Sequence, residues 1–136
     1  MASKWYPVGL KEAWEAVQDL TDVTKVKVAL YTGAYNAAHG AYDDVSAAVI
    51  ETPKVCSTDP TYTEGTAVIK YDAGDPATWA AVAGGSTITG AVVYYDSTVA
   101  ATSSLIAFID TADTATNGGD ITFAFSVSGI GTIDCT

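Results

Sequence analysis

STITGAVVYYDSTVAATSSLIAFIDTADTATNGGDITFAFSVSGIGTI, residues 86–133, decides the fold class. Three apolar runs in it, 88–95, 105–109 and 121–127, are separated by short stretches of small polar residues. In the last run Ile121, Phe123, Phe125 and Val127 fall on one face at the strand period. Runs of this length bounded by Gly, Ser, Asn and Asp read as strands. The segment contains no His, Lys, Arg or Glu. A region so rich in strands and so poor in reactive groups is suited to holding something rather than converting it.

Upstream, Leu10, Ala13, Trp14, Val17 and Leu20 recur at helical spacing, with Lys11, Glu12, Glu15 and Asp19 on other faces. This predicts a short amphipathic helix that starts at Pro7 and Gly9 and ends near Thr21 and Asp22. Val26, Val28 and Leu30 then alternate with Lys25, Lys27 and Ala29, as in a strand with one wet face. The stretch 33–44 reads as a loop with a helical turn around 41–45, and 45–50 as a strand stopped by Pro53. Asp59-Pro60 marks a turn over 58–65. Further strands are expected at 67–71, 78–82 (anchored by Trp79) and 130–133, with a polar loop over 110–120. Trp14, Trp79, Phe123 and Phe125 are the expected core aromatics. The pattern gives one mainly β domain, 1–136. It is an antiparallel β-sandwich or barrel-like fold in which 1–21 form an N-terminal arm and short helix and 22–136 the β-domain.

Composition narrows the function. The chain has 136 residues, a hydrophobic fraction of 49% and a mean hydropathy of +0.21. Six basic residues against sixteen acidic ones leave a formal net charge of −10. Binding to nucleic acid requires phosphate neutralisation by Lys and Arg, and binding to an anionic membrane needs the same charges. Neither partner is expected. No apolar run approaches the roughly 20 residues of a membrane-spanning helix, and residues 1–10 lack the apolar stretch of a signal peptide.

No catalytic, cofactor-binding or metal-binding residue is assigned. His39 is the single histidine and sits among Ala and Gly without a GxSxG elbow, so an exposed or capping role is expected for it. Asp residues gather at 43 and 44, at 72 and 75, and at 110, 113 and 120. The last group, with Asn117, is the best candidate for calcium, but it lacks EF-hand spacing and solvated turns are commoner. Cys56 and Cys135 form no CxxC and leave both a bridge and two free thiols open. The residues suited to partner contact are the aromatics Trp5, Tyr6, Tyr31, Tyr35, Tyr42 and Tyr62, because Trp and Tyr bury much area at little entropic cost.

Five segments carry a resemblance: DVTKVKVALYTGAY (22–35), YDDV (42–45), GAVVYYDS (90–97), LIAFID (105–110) and NGGDITFAFSVSGIGTI (117–133). Together they resemble a family of small virion structural proteins of tailed bacteriophages, over residues 20–133. Ala107 stands where the family pattern has Gly, and 53–64, with Cys56, has no counterpart in it. The resemblance implies a non-enzymatic particle component without cofactor, made in the host cytoplasm and carried on the virion. The favoured role is a capsid decoration (cement) protein on the shell exterior. Its partners would be the major capsid protein and copies of itself, as a homotrimer. The alternative is a tail- or fibre-associated adhesion or carbohydrate-binding β-module.

Overall fold

The computed structural model describes residues 2–134, with side chains from Ser3 onward. It is a sandwich of two antiparallel sheets with one α-helix near the N-terminus. The strands are β1 (Ala2–Trp5), β2 (Val26–Tyr31), β3 (Val49–Val55), β4 (Thr61–Gly65), β5 (Val68–Asp72), β6 (Thr87–Tyr95), β7 (Leu105–Ala115) and β8 (Gly131–Asp134). The large sheet has the order β1-β7-β6-β2-β3 and the small one β4-β5-β8.

The large sheet is buried on both faces. Val26, Val28, Leu30, Ile88, Val93 and Ile109 belong to a core shared with Tyr71, Trp79, Val82, Phe123 and Ile130. The opposite face carries a second, aromatic core of Tyr6, Tyr31, Tyr94, Phe108, Val92 and Leu105, covered by Tyr35, Tyr42 and Val45 from the 32–48 connection. The expected wet face of β2 is therefore closed. Ala29 and Tyr31 are buried, and Lys27 is half-buried against Asp96, with Nζ 2.6 Å from Oδ2. Asp44 fixes the covering connection: its Oδ2 accepts the N–H groups of Gly40 (2.8 Å) and Ala41 (3.1 Å). Those bonds fold 42–44 into a 3-10 turn, the expected helical turn, and a second such turn occupies 46–48. The strand expected at 45–50 consequently begins only at Val49. It then runs through Pro53, which an edge strand tolerates because one side of its backbone has no ladder to donate to.

Helix α1 (Pro7–Glu15) is shorter than its periodicity predicts. Gly9 lies directly against the start of β7, where an added Cβ would fall 2.0 Å from the Leu105 carbonyl oxygen. This close approach turns the Gly9–Ala13 side inward and rotates Trp14 outward. Trp14 is 57% exposed, against the expectation that it lies in the core. The helix closes in a Schellman arrangement, with Gln18 N–H bonded to Ala13 C=O and Val17 N–H to Trp14 C=O. Val17 takes the left-handed position at φ 56 and is exposed, while Leu20 turns back into the core.

Elsewhere the ladders depart from the apolar runs. β1 pairs with β7 from Ala2↔Asp110 to Trp5↔Ala107, a strand that the sequence pattern does not announce. β4 occupies most of the expected 58–65 turn. β7 continues to Ala115, into the expected polar loop, because Thr87 and Ile88 of β6 pair with Ala115 and Thr114. Conversely, 78–82 and 121–127 form no ladder beyond an isolated bridge, Trp79↔Ile121, with the Thr78 and Thr122 hydroxyls 3.0 Å apart beside it. Phe123 is buried and Phe125 half-buried edge-on to it, but the Asp75 carboxylate takes the Phe125 N–H at 2.8 Å and Val127 is fully outside.

Candidate partner interface

The six aromatics singled out from sequence divide into three groups. Tyr6 and Tyr31, 0% and 4% exposed, are core residues and offer no surface. Tyr35 and Tyr42 are half-buried lids on the same core. Tyr35 packs between Tyr6 and Phe108 and donates its hydroxyl to the Trp5 carbonyl at 2.8 Å, and Tyr42 stacks on Tyr94 with ring centroids 4.3 Å apart. Trp5 and Tyr62 keep accessible faces. Tyr62 packs on Tyr71 from the outside.

Trp5 borders an apolar groove. Its indole lies against Gly131 and its Nε1–H donates to the Thr132 carbonyl at 2.9 Å, so β1 and β8 are fastened across the gap between the sheets. Beside it Pro7, Leu10 and Trp14 of α1 and Ile133 of β8 line a groove of about 500 Å³, with Lys11 and Asp134 as its charged members. The helical spacing of Trp14 predicts a core position, so periodicity hides the residue that gives this groove its largest exposed ring. Only the close approach of Gly9 reveals it. The structure thus brings Trp5 together with Trp14, and leaves Tyr62 apart on the small sheet.

Groups able to do chemistry are dispersed. His39 is half-buried, and among the described residues its Nδ1 has no hydrogen-bond partner. It lies close enough to Asp44 to help hold that carboxylate below its ordinary range, after the larger effect of the Gly40 and Ala41 N–H groups. Burial, with Asp75 nearby, pushes the Cys56 thiol up to about 11, so it stays protonated. Cys56 is a free thiol, and Cys135 lies outside the described residues. Among the described residues no three His, Cys, Asp or Glu side chains come together as a metal set. Asp110 and Asp113 are spread along β7, and Asp120 accepts the Ala81 N–H at 2.9 Å. A cavity of about 290 Å³ behind β6 is lined by Leu30, Ile88, Thr111 and Phe123, and Asp120 is its one ionisable group. None of the described helices is long and apolar enough to cross a membrane.

The chain matches no protein-family model, no curated protein and no solved structure.

Proposed function

We propose that the chain is a structural component of a tailed-phage virion, a capsid decoration protein that bridges neighbouring capsomers from outside as a homotrimer. The strand motifs of 22–133 suggest the class. The structural observation that carries the reading is the groove between Trp5 and Trp14, an apolar surface with a large ring left in solvent. An exposed Trp beside a preformed apolar groove is the usual anchor of a protein interface. The double-faced core supplies the stiffness a clamp needs. A protein that binds only the assembled shell stabilises that state by mass action, and three linked copies strengthen weak individual contacts. The acidic surface suits an exterior position and a partner with basic patches.

A cryo-EM map of purified particles tests the reading. The expected result is density for the sandwich at the junctions between capsomers, with the Trp14 edge against the shell. Particles lacking the chain would refute it. A glycan array probed with the isolated protein addresses the adhesion alternative: sugar binding lost in Trp14→Ala, with no particle association, would replace the capsid reading.

A further inference from the structure

The sandwich has four strand edges, and three of them are closed. At β3, Pro53 removes a donor, Glu51 breaks the line at φ 60, and Trp79 Nε1–H takes the Thr52 carbonyl at 2.9 Å. At β8, Trp5 takes the Thr132 carbonyl. At β1, four residues long, Tyr35 takes the Trp5 carbonyl and Lys4 stands over the Tyr35 ring. These are ordinary ways of blunting an edge. β4 has none of them. All five of its residues are exposed, and it contains no Pro, no Lys and no bulge in its pairing with β5. Among the described residues nothing outside β5 hydrogen-bonds to 61–65. Thr-Tyr-Thr is moreover a sequence of high strand propensity.

The ground around this edge is acidic. Glu64 lies on β4, Asp59 just before it, and Asp72 pairs with Thr61 across the ladder. Burial raises the Tyr62 hydroxyl pKa, and Asp19 is near enough to add to that rise. Lys70 on β5 is held by Asp72 at 3.4 Å. At the entry to β4, an open polar pocket of about 560 Å³ is lined by Thr58, Asp59, Thr61 and Asp72. A second copy would bring the same carboxylates against these, on a chain of formal net charge −10.

We propose that β4 is an acceptor edge, which takes an extended Lys- or Arg-bearing segment of a partner protein as an added strand and seats one basic side chain in the Asp59–Asp72 pocket. Main-chain bonds to the open edge provide affinity, and the carboxylates select a basic strand over an acidic one.

The probe is a synthetic nine-residue peptide alternating Thr and Val with three Lys, compared with its Glu counterpart and a version with a central Pro. Hydrogen exchange of the intact protein is followed during titration. The Lys peptide should slow exchange across 61–65 and leave β3 unchanged. Its affinity should fall at least tenfold in Glu64→Lys, an exposed substitution, and again with salt. The Glu and Pro peptides should bind at least tenfold more weakly. Asp59→Asn serves as a second variant, with circular dichroism checking that it folds. No protection of β4 at millimolar Lys peptide, or equal binding of the Glu peptide, would overturn the proposal. So would a peptide-free dimer with protected β4 amides, which would assign the edge to a second copy.

Discussion

The large and small sheets are both antiparallel and have opposite characters. In the large sheet, Ala91, Val92, Val93, Leu105, Ile106 and Ala107 have no exposed surface, and both faces carry a core. In the small sheet, β4 is exposed along its whole length, and only Tyr71 of β5 is buried. The difference shows where stability and recognition reside. A strand buried on two faces contributes through its side chains and cannot be reached. A strand held by one ladder has backbone and side chains to spare for another molecule.

The largest expected effect tests this division directly. Phe108→Ala should cost about 3–5 kcal/mol, the range for removing a buried aromatic, because the ring contacts Tyr31 and Tyr35 in the second core. Tyr62→Ala on β4 should cost about 1 kcal/mol, the worth of one aromatic contact. Urea unfolding of both variants measures the difference. Equal losses would mean that the small sheet is as much a part of the cooperative core as the large one.

A finer test uses two buried tyrosines. The Tyr71 hydroxyl donates to the Leu20 carbonyl, which anchors the chain after α1 to β5. The Tyr6 hydroxyl is buried on the other side of the large sheet with no partner. Burial raises both pKa values, so both hydroxyls stay protonated. Tyr71→Phe should cost about 1–2 kcal/mol, by leaving a carbonyl unpaired. Tyr6→Phe should gain about 1 kcal/mol, by removing an orphaned polar group. The same chemical change thus has opposite signs, read from paired melting curves.

What the sequence discloses follows the same line. β6 is legible to within one residue, because 88–95 is an apolar run bounded by turns, and β2 is legible through its alternating valines. β4 is hidden, since Thr, Tyr and Glu exposed on both faces carry no burial pattern. The extension of β7 is hidden for the same reason: 110–115 is held by backbone pairing alone. The partner aromatics fail differently. Tyr6 and Tyr31 have the right chemistry for an interface, but no local signal says that 32–48 folds over them. Trp14 shows the converse error, in which helical spacing promises burial that Gly9 takes away.

Val17 allows a smaller test, at the end of α1. A β-branched residue at φ 56 is strained by about 1–2 kcal/mol, and Gly is free of that strain. Its side chain is 87% exposed, so little packing is lost on removing it. Val17→Gly should therefore raise stability by about 1 kcal/mol, seen as a higher Tm. No change would mean that the C-terminal turn of the helix frays, and that Trp14 stands on a looser rim than the Schellman bonds imply.

The smallest effect compares one ion pair from each sheet. Lys27–Asp96 ties β2 to the end of β6, at 2.6 Å and with both side chains less than one-third exposed. The hydrogen bond from Lys27, helped by the Thr98 N–H, holds the Asp96 carboxyl below its usual value of 3.8. A carboxyl depressed in the folded state stabilises fully above its unfolded pKa, and this contribution is lost as pH falls through the lower folded value. Asp96→Asn should cost about 1 kcal/mol near neutral pH and almost nothing at the acid end of that window. Lys70–Asp72 on the small sheet is longer, at 3.4 Å, and more exposed. Lys70→Met should cost only about 0.3 kcal/mol. Unfolding measured from pH 7 downward separates the cases. A cost for Asp96→Asn that stays constant with pH would assign its effect to shape rather than charge, and would leave the two sheets alike in their electrostatics.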